Sequence, residues 1–214
     1  MPRRRRFFVP WFASLLAVAF LTAGGLPLPA HAGEFSDGAK KFVEVLADDA
    51  IRSLSVNDIS QDERSARFRK LMLRTFAIKG IAKFVLGRHW RKASEPARKE
   101  YLRLFEDLLV ATYAQRFARY AGETLEITRA EVRGERDVIV HSTMLRVDST
   151  KPLKIAWRVR GSKSGTYYKI VDIMVEGISM IQTQKSEFSS FIKKNGGTLD
   201  PLLTEIRKRI EANP

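Results

Sequence analysis

Few side chains in this sequence have both the type and the spacing that covalent or metal chemistry requires. Outside the N-terminal segment the histidines are His89 and His141. They fall in different elements, and neither has a second histidine at ligand spacing, so a His-based metal site would need these two to meet in space. Gly177-Ile178-Ser179-Met180-Ile181 resembles a nucleophile elbow, following a strand and opening a helix. That strained turn needs a second glycine where Ile181 stands, so Ser179 reads as a helix N-cap instead. Ser190-Phe191-Ile192-Lys193 fits S-x-x-K without any companion motif. Asp172 and Glu176 lie on one strand face with backbones about 13 Å apart, too far for a working carboxylate pair. No P-loop or G-x-G-x-x-G occurs. These residues make no catalytic set, and the expectation is a protein that is not an enzyme and holds no metal or cofactor.

Large apolar residues are abundant instead: Trp90, Trp157 and phenylalanines spread from Phe35 to Phe191. They suit either a filled core or the lining of an apolar pocket, and periodicity does not separate the two.

The elements that position them read as follows. Ala39, Phe42, Val43, Leu46, Ala50, Ile51 and Leu54 repeat at helical spacing over residues 36–54. Ser60 with Glu63 forms a capping box for a helix carrying Phe68, Leu71, Met72 and Phe76. A short helix spans Ile78 to Leu86 and stops at Gly87. Ser94 caps the longest helix, with Pro96 in its first turn and a stripe from Tyr101 to Tyr120 ending at Gly122, roughly 40 Å in all. Strands then begin at Leu125 and Ile127, at Val138 to Leu145 after a Gly134 turn, at Leu153 to Val159, and at Tyr167 to Val175 after the Gly161–Gly165 turn. In the third, Leu153, Ile155, Trp157 and Val159 point one way, while Lys154, Ala156, Arg158 and Arg160 point the other. Gly177 returns the chain to a helix over Ile178 to Lys194, Gly196-Gly197 break it, and a last helix starts near Asp200-Pro201. The predicted fold is α+β, with four antiparallel strands and about six helices.

Arg3 to Arg6, an uncharged apolar run from Phe7 to about Leu26, and Ala30-His31-Ala32 follow the layout of a secretory signal. Cleavage would leave a mature domain over residues 33–214, working outside the cytoplasm. The run is also long enough for a membrane anchor, but its Pro-rich end and A-x-A stop favour cleavage. There are no cysteines, so disulfides and thiol catalysis are excluded. The formal charge is +14, about +10 without the four signal arginines. In an exported protein nucleic acid is a poor partner for this charge, and anionic lipid head groups or an acidic protein are better ones.

Two blocks of residues carry a family resemblance. The first is Val85-Leu86-Gly87-Arg88-His89-Trp90-Arg91-Lys92-Ala93-Ser94 with Arg98, Tyr101, Phe105 and Tyr113. The second is Trp157-Arg158, Tyr168, Asp172 and Glu176-Gly177-Ile178-Ser179-Met180, continuing through Thr183, Gln184, Glu187 and Phe188 to Gly196-Gly197. In order and spacing they resemble the MlaC family of periplasmic phospholipid-binding carriers, also called toluene-tolerance or auxiliary transport proteins. The resemblance implies a curved antiparallel sheet with some likeness to NTF2-like domains, and a deep apolar pocket between sheet and helices for acyl chains. It also implies shuttling between an outer-membrane lipoprotein–porin assembly and an inner-membrane ABC transporter with MCE-domain subunits. The Phe84-to-Arg91 wording is similar to the hopanoid-associated branch as well, which would make the ligand a polycyclic lipid. On the carrier reading, the lipid-contact candidates are Phe76, Ile81, Phe84, Val85, Trp90, Tyr101, Phe105, Leu108, Trp157, Ile173 and Met180. Arg88, Arg91, Lys92, Arg158 and Arg160 are candidates for a basic rim near phosphate or a partner. A solid-cored accessory subunit of a transporter, and a hydrolase using an unrecognised Ser or Asp, stand as the competing classes.

Overall fold

The computed structural model describes residues 30–119, 122–147, 149–162 and 167–213. The Arg-rich start and apolar run, Tyr120 and Gly165 lie outside these residues. Seven helices and five strands occur among the described residues: α1 (Ala30–Leu54), α2 (Gln61–Thr75), α3 (Ile78–Leu86), α4 (Arg88–Lys92), α5 (Glu95–Tyr113), β1 (Thr124–Arg133), β2 (Asp137–Arg146), β3 (Ser149–Gly161), β4 (Tyr168–Val175), β5 (Ile178–Ser179), α6 (Met180–Lys194) and α7 (Asp200–Glu211). The strands form one antiparallel sheet in sequence order.

The α+β class agrees with the sequence reading, but the counts differ in two places. Glu176 (φ 49°) and Gly177 (φ 81°) are both left-handed and turn the chain back on itself. Ile178 and Ser179 therefore pair with Val175 and Met174 as a fifth strand before α6 begins. Two residues are too few to show an alternating pattern. Likewise α4 has five residues and starts after Gly87 (φ 56°), too short for any helical repeat to register. The long helix is also shorter than expected: α5 ends at Tyr113 and Ala114–Arg119 continue as a 3₁₀ segment. At its other end the chain is more helical than predicted, with α1 beginning at Ala30 rather than near residue 36.

The predicted caps are present. Ser60 Oγ accepts from Glu63 N (3.1 Å), Ser94 Oγ from Ala97 N (3.4 Å) and Ser179 Oγ from Gln182 N (3.2 Å). The Glu63 carboxylate pairs with Arg67 (2.7 Å) one turn on.

Two hydrophobic cores result. In the first, Ala39, Val43, Leu46, Ala50 and Leu54 of α1 lie across the sheet against Val138, Val140, Val159 and Ile170. This helix crosses β1, β2 and β3. In the second, α3, α5, α6 and α7 pack on one another. The α2–α3 junction ties the two layers. Phe76 forms a parallel bridge with Ile170, and Ala77 N donates to Ile170 O (2.9 Å), which occupies part of the β4 edge.

Candidate functional site

The face of the sheet turned toward the helices is set by strand alternation. Register places Val140 opposite Trp157 and Trp157 opposite Ile173, with Val138–Val159 and Val159–Ile170 beside them. Under α1 this face is sealed: Val138, Val140, Val159 and Ile170 are fully buried. Toward β4 the packing changes. Trp157 and Ile173 are only half-buried, and Phe68 and Phe76 of the α2 region, also half-buried, pack against both cores. Phe117 of the 3₁₀ segment packs against Phe68 in a tilted pair, 6.0 Å between ring centroids and 43° between planes. Trp157 Nε1 donates to Ser142 Oγ (3.0 Å), and Ser142 Oγ donates to Ile155 O (3.1 Å), so the indole is fixed in direction along the sheet. This aromatic seam between sheet and helices is the candidate binding region.

The proposed lipid contacts divide between four places. Trp157 and Ile173 pair across the sheet at the seam, and Phe76, bridged to Ile170, packs against the same core. Ile81, Val85, Tyr101, Phe105 and Leu108 lie in the helical core. There Tyr101, Phe105 and Phe188 form an aromatic trio with centroids 5.7–6.4 Å apart, and Tyr101 Oη donates to Ala82 O (3.0 Å). Burial pushes the Tyr101 phenol far above its ordinary pKa, so it stays neutral. Phe84 lies on the outer side of α3, and Trp90 of α4 is partly buried at the edge of the helical core. Phe84 is 37% exposed beneath Lys185 Nζ, and Trp90 is flanked by Lys83 and Arg98. Met180 opens α6, half-buried. The seam aromatics Phe68 and Phe117 were legible only as members of helical stripes. Nothing in their local sequence marks them as packing against the same core as Trp157, because the sheet strands of that core lie elsewhere in the chain.

The basic candidates also separate. Arg158 and Arg160 project from the opposite face of the sheet, where one buried carboxylate holds both. Arg158 Nε and Nη2 reach Asp137 Oδ2 at 2.8 and 2.5 Å, and Arg160 Nε reaches Oδ1 at 2.7 Å. Hydrogen bonds from Arg160, and then from Arg158, hold the Asp137 carboxyl below its ordinary pKa against the opposing effect of burial. Asp172, opposite Arg158 in the ladder, accepts from Ser179 Oγ (2.6 Å) and Ile181 N (3.3 Å) and so anchors the start of α6. Arg88, Arg91 and Lys92 are exposed on α4, a separate element.

Two openings lie on this outer sheet face. One, about 330 Å³, is lined by Arg133, Glu135, Arg136, Asp137 and Arg160. The other, about 600 Å³, is larger and includes Arg129, Glu131, Ile139, His141, Lys154 and Met174. The charged walls of the first suit polar groups, not acyl chains, whereas the second mixes charged side chains with apolar wall from Ile139, Ile155, Ala156 and Met174. His141 Nε2 is 3.5 Å from Glu131 Oε1, and burial, reinforced by Arg129 and Arg133, lowers its pKa. His89 is lowered in the same way by burial, then by Arg88 and Lys92. No group of three or more metal-ligating side chains occurs among the described residues. No helix among them is long and apolar enough to cross a membrane.

The fold and site thus define a class: an α+β domain whose antiparallel sheet meets a helical layer along an aromatic seam. The MlaC protein family model matches residues 44–208, and the chain belongs to that family. It is 24% identical over 127 residues to the intermembrane phospholipid transport system binding protein MlaC of Haemophilus influenzae, a match covering 58% of each chain. The chain thus spans about three fifths of the length of that relative. A solved structure of the phospholipid-binding protein from Ralstonia solanacearum, in complex with a phospholipid, shares the fold. Its TM-score is 0.71 at 22% identity, covering 81% of this chain and 97% of that one.

Proposed function

We propose that this protein binds a phospholipid by its acyl chains along the seam between sheet and helices and carries it through the periplasm between membrane transport assemblies. The reading rests on family membership together with one structural observation. Phe68 and Phe76, both half-buried, pack against both cores, and Trp157 and Ile173 lie half-buried on the inner face of the sheet against the first. An apolar junction of two layers can admit a chain without leaving polar groups unpaired. The need for a protein is large. Two chains of about 16 carbons each would cost on the order of 25 kcal/mol to expose to water. The seam is packed, so loading requires α2 and the α2–α3 junction to move from the sheet. The mature domain begins at Gly33, after removal of the export segment.

Native mass spectrometry of the purified protein, followed by extraction and identification of bound lipid, tests this. Stoichiometric glycerophospholipid is expected. A bound hopanoid would redirect the ligand while keeping the site. Protein recovered without lipid, and unable to take lipid from vesicles, would favour the competing reading that the packed seam supports, a solid-cored accessory subunit of the transporter.

A further inference from the structure

The charge along this chain is unevenly placed. From Arg64 to Ser94 there are ten Lys and Arg residues and no Asp or Glu. The structure sorts these ten, of which Lys70 is exposed on α2 with no ion pair among the described residues. Arg67, Arg69 and Arg74 pair with Glu63, with Glu106 and Asp107, and with Asp49, respectively. Buried Arg64 is bound to the carbonyls of Leu54 and Val56 at the end of α1. Lys79, Lys83, Arg88, Arg91 and Lys92 take part in no ion pair among the described residues, and all five are exposed. This distinguishes them from Arg158 and Arg160, which share Asp137.

Helical geometry gathers these five on one side. In α3, Ile78, Ile81, Ala82, Val85 and Leu86 face the core, which leaves Lys79, Lys83 and Phe84 outward. Gly87 then turns the chain into α4, whose outward residues are Arg88, Arg91 and Lys92. Two aromatic rings sit among these charges, Phe84 beneath Lys185 and Trp90 beside Lys83 and Arg98. Arg98 fixes α4 by donating to Trp90 O (2.8 Å) and Arg91 O (3.0 Å). The result is a patch of unneutralised cations around an exposed phenylalanine and a half-exposed tryptophan.

We propose that the outer surface of α3 and α4 is a membrane-docking face that seats the protein on anionic phospholipid head groups. Charge complementarity selects this occupant. Cations on long stems meet a surface whose charges are phosphates with no fixed lateral order, while Phe84 and Trp90 enter the interfacial zone where aromatic side chains are favoured. A docking face of this kind brings the carrier to a bilayer by an encounter that salt weakens, which suits repeated arrival and departure. The proposal deepens the carrier reading and rests on it for its purpose, though not for the binding it specifies.

The test is flotation of the purified protein with phosphatidylcholine vesicles, with and without phosphatidylglycerol as roughly a third of the lipid. Binding only to the anionic vesicles, lost in high salt, is expected. Each basic residue near such a surface is worth about fivefold in partitioning, so Lys83→Gln/Arg88→Gln/Arg91→Gln/Lys92→Gln should weaken binding by at least roughly 100-fold. An equal charge loss elsewhere, Lys41→Gln/Lys193→Gln/Lys194→Gln/Lys208→Gln, should weaken it far less. Phe84→Ser should reduce binding while leaving its salt dependence in place. Bound lipid, read by mass spectrometry, should be unchanged in every variant. Equal flotation with both vesicle types, equal loss in the two quadruple variants, or loss of bound lipid from the α3–α4 variant would each overturn the proposal. So would wild-type flotation by the α3–α4 variant, which would leave the patch to a protein partner. A wild-type protein that floats on anionic vesicles but never holds lipid would sink the carrier reading and leave this one standing.

Discussion

Ile173→Trp is the substitution that tests the seam most directly. Ile173 stands opposite Trp157 on β4, half-buried, on the sheet face turned toward the helices. The neighbouring positions are poorer choices: Val159 is fully buried in the core beneath α1, where a larger side chain would force the helix off the sheet, and Ile155 is also buried. Ile173 is only half-buried, so the larger ring keeps part of its surface in solvent and the overpacking penalty should be at the low end of the usual range, about 1 kcal/mol. If acyl chains occupy the seam, the added indole displaces roughly four methylene groups of one chain. At ~0.8 kcal/mol per methylene this weakens lipid binding by about 3 kcal/mol, on the order of 150-fold. The assay is paired: thermal unfolding by circular dichroism for the fold, and bound lipid by native mass spectrometry with competition by a fluorescent phospholipid for affinity. A well-folded Ile173→Trp protein with wild-type lipid content and affinity would refute the placement of the ligand along this seam.

Phe105→Leu should show the reverse pattern, losing about 1–2 kcal/mol of stability from the Tyr101–Phe188 trio with lipid affinity unchanged, because that ring is core. A matched drop in affinity would move the site into the helical layer. Acid unfolding should depend on Asp137. Its folded pKa is depressed, so its contribution is present above the ordinary carboxylate value of 3.8 and is lost as pH falls through the lower folded value. Asp137→Asn should therefore reduce stability at neutral pH and flatten the acid limb, as followed by urea unfolding between pH 3 and 7. Gly38 and Gly161 allow close approach of Tyr168 and Phe35, and Tyr168 Oη donates to Phe35 O (3.3 Å). Gly38→Ala should cost about 1–3 kcal/mol by displacing the Tyr168 ring, and Tyr168→Phe should recover part of it in the double variant.

Much of the local structure is written in short stretches of the chain. The α1 stripe, the serine caps at Ser60, Ser94 and Ser179, and the alternation that turns Ile155, Trp157 and Val159 to one face all depend on residues within a few positions of each other. They were therefore legible. The family blocks also pointed to the fold that the family model match supports. What the sequence did not decide were relations between distant segments. Helical periodicity marks Tyr101, Phe105 and Phe76 alike as apolar-facing, yet only the docking of α2 on β4 separates the seam residue from the two core ones. Charge composition likewise treats Arg88 and Arg158 alike. The sheet register delivers Asp137 to Arg158 and leaves the α4 cations without a counter-charge, because pairing depends on which strands and helices meet. A lone residue type says what a side chain is able to do, and its neighbours in three dimensions decide whether it packs, pairs or stays free to bind.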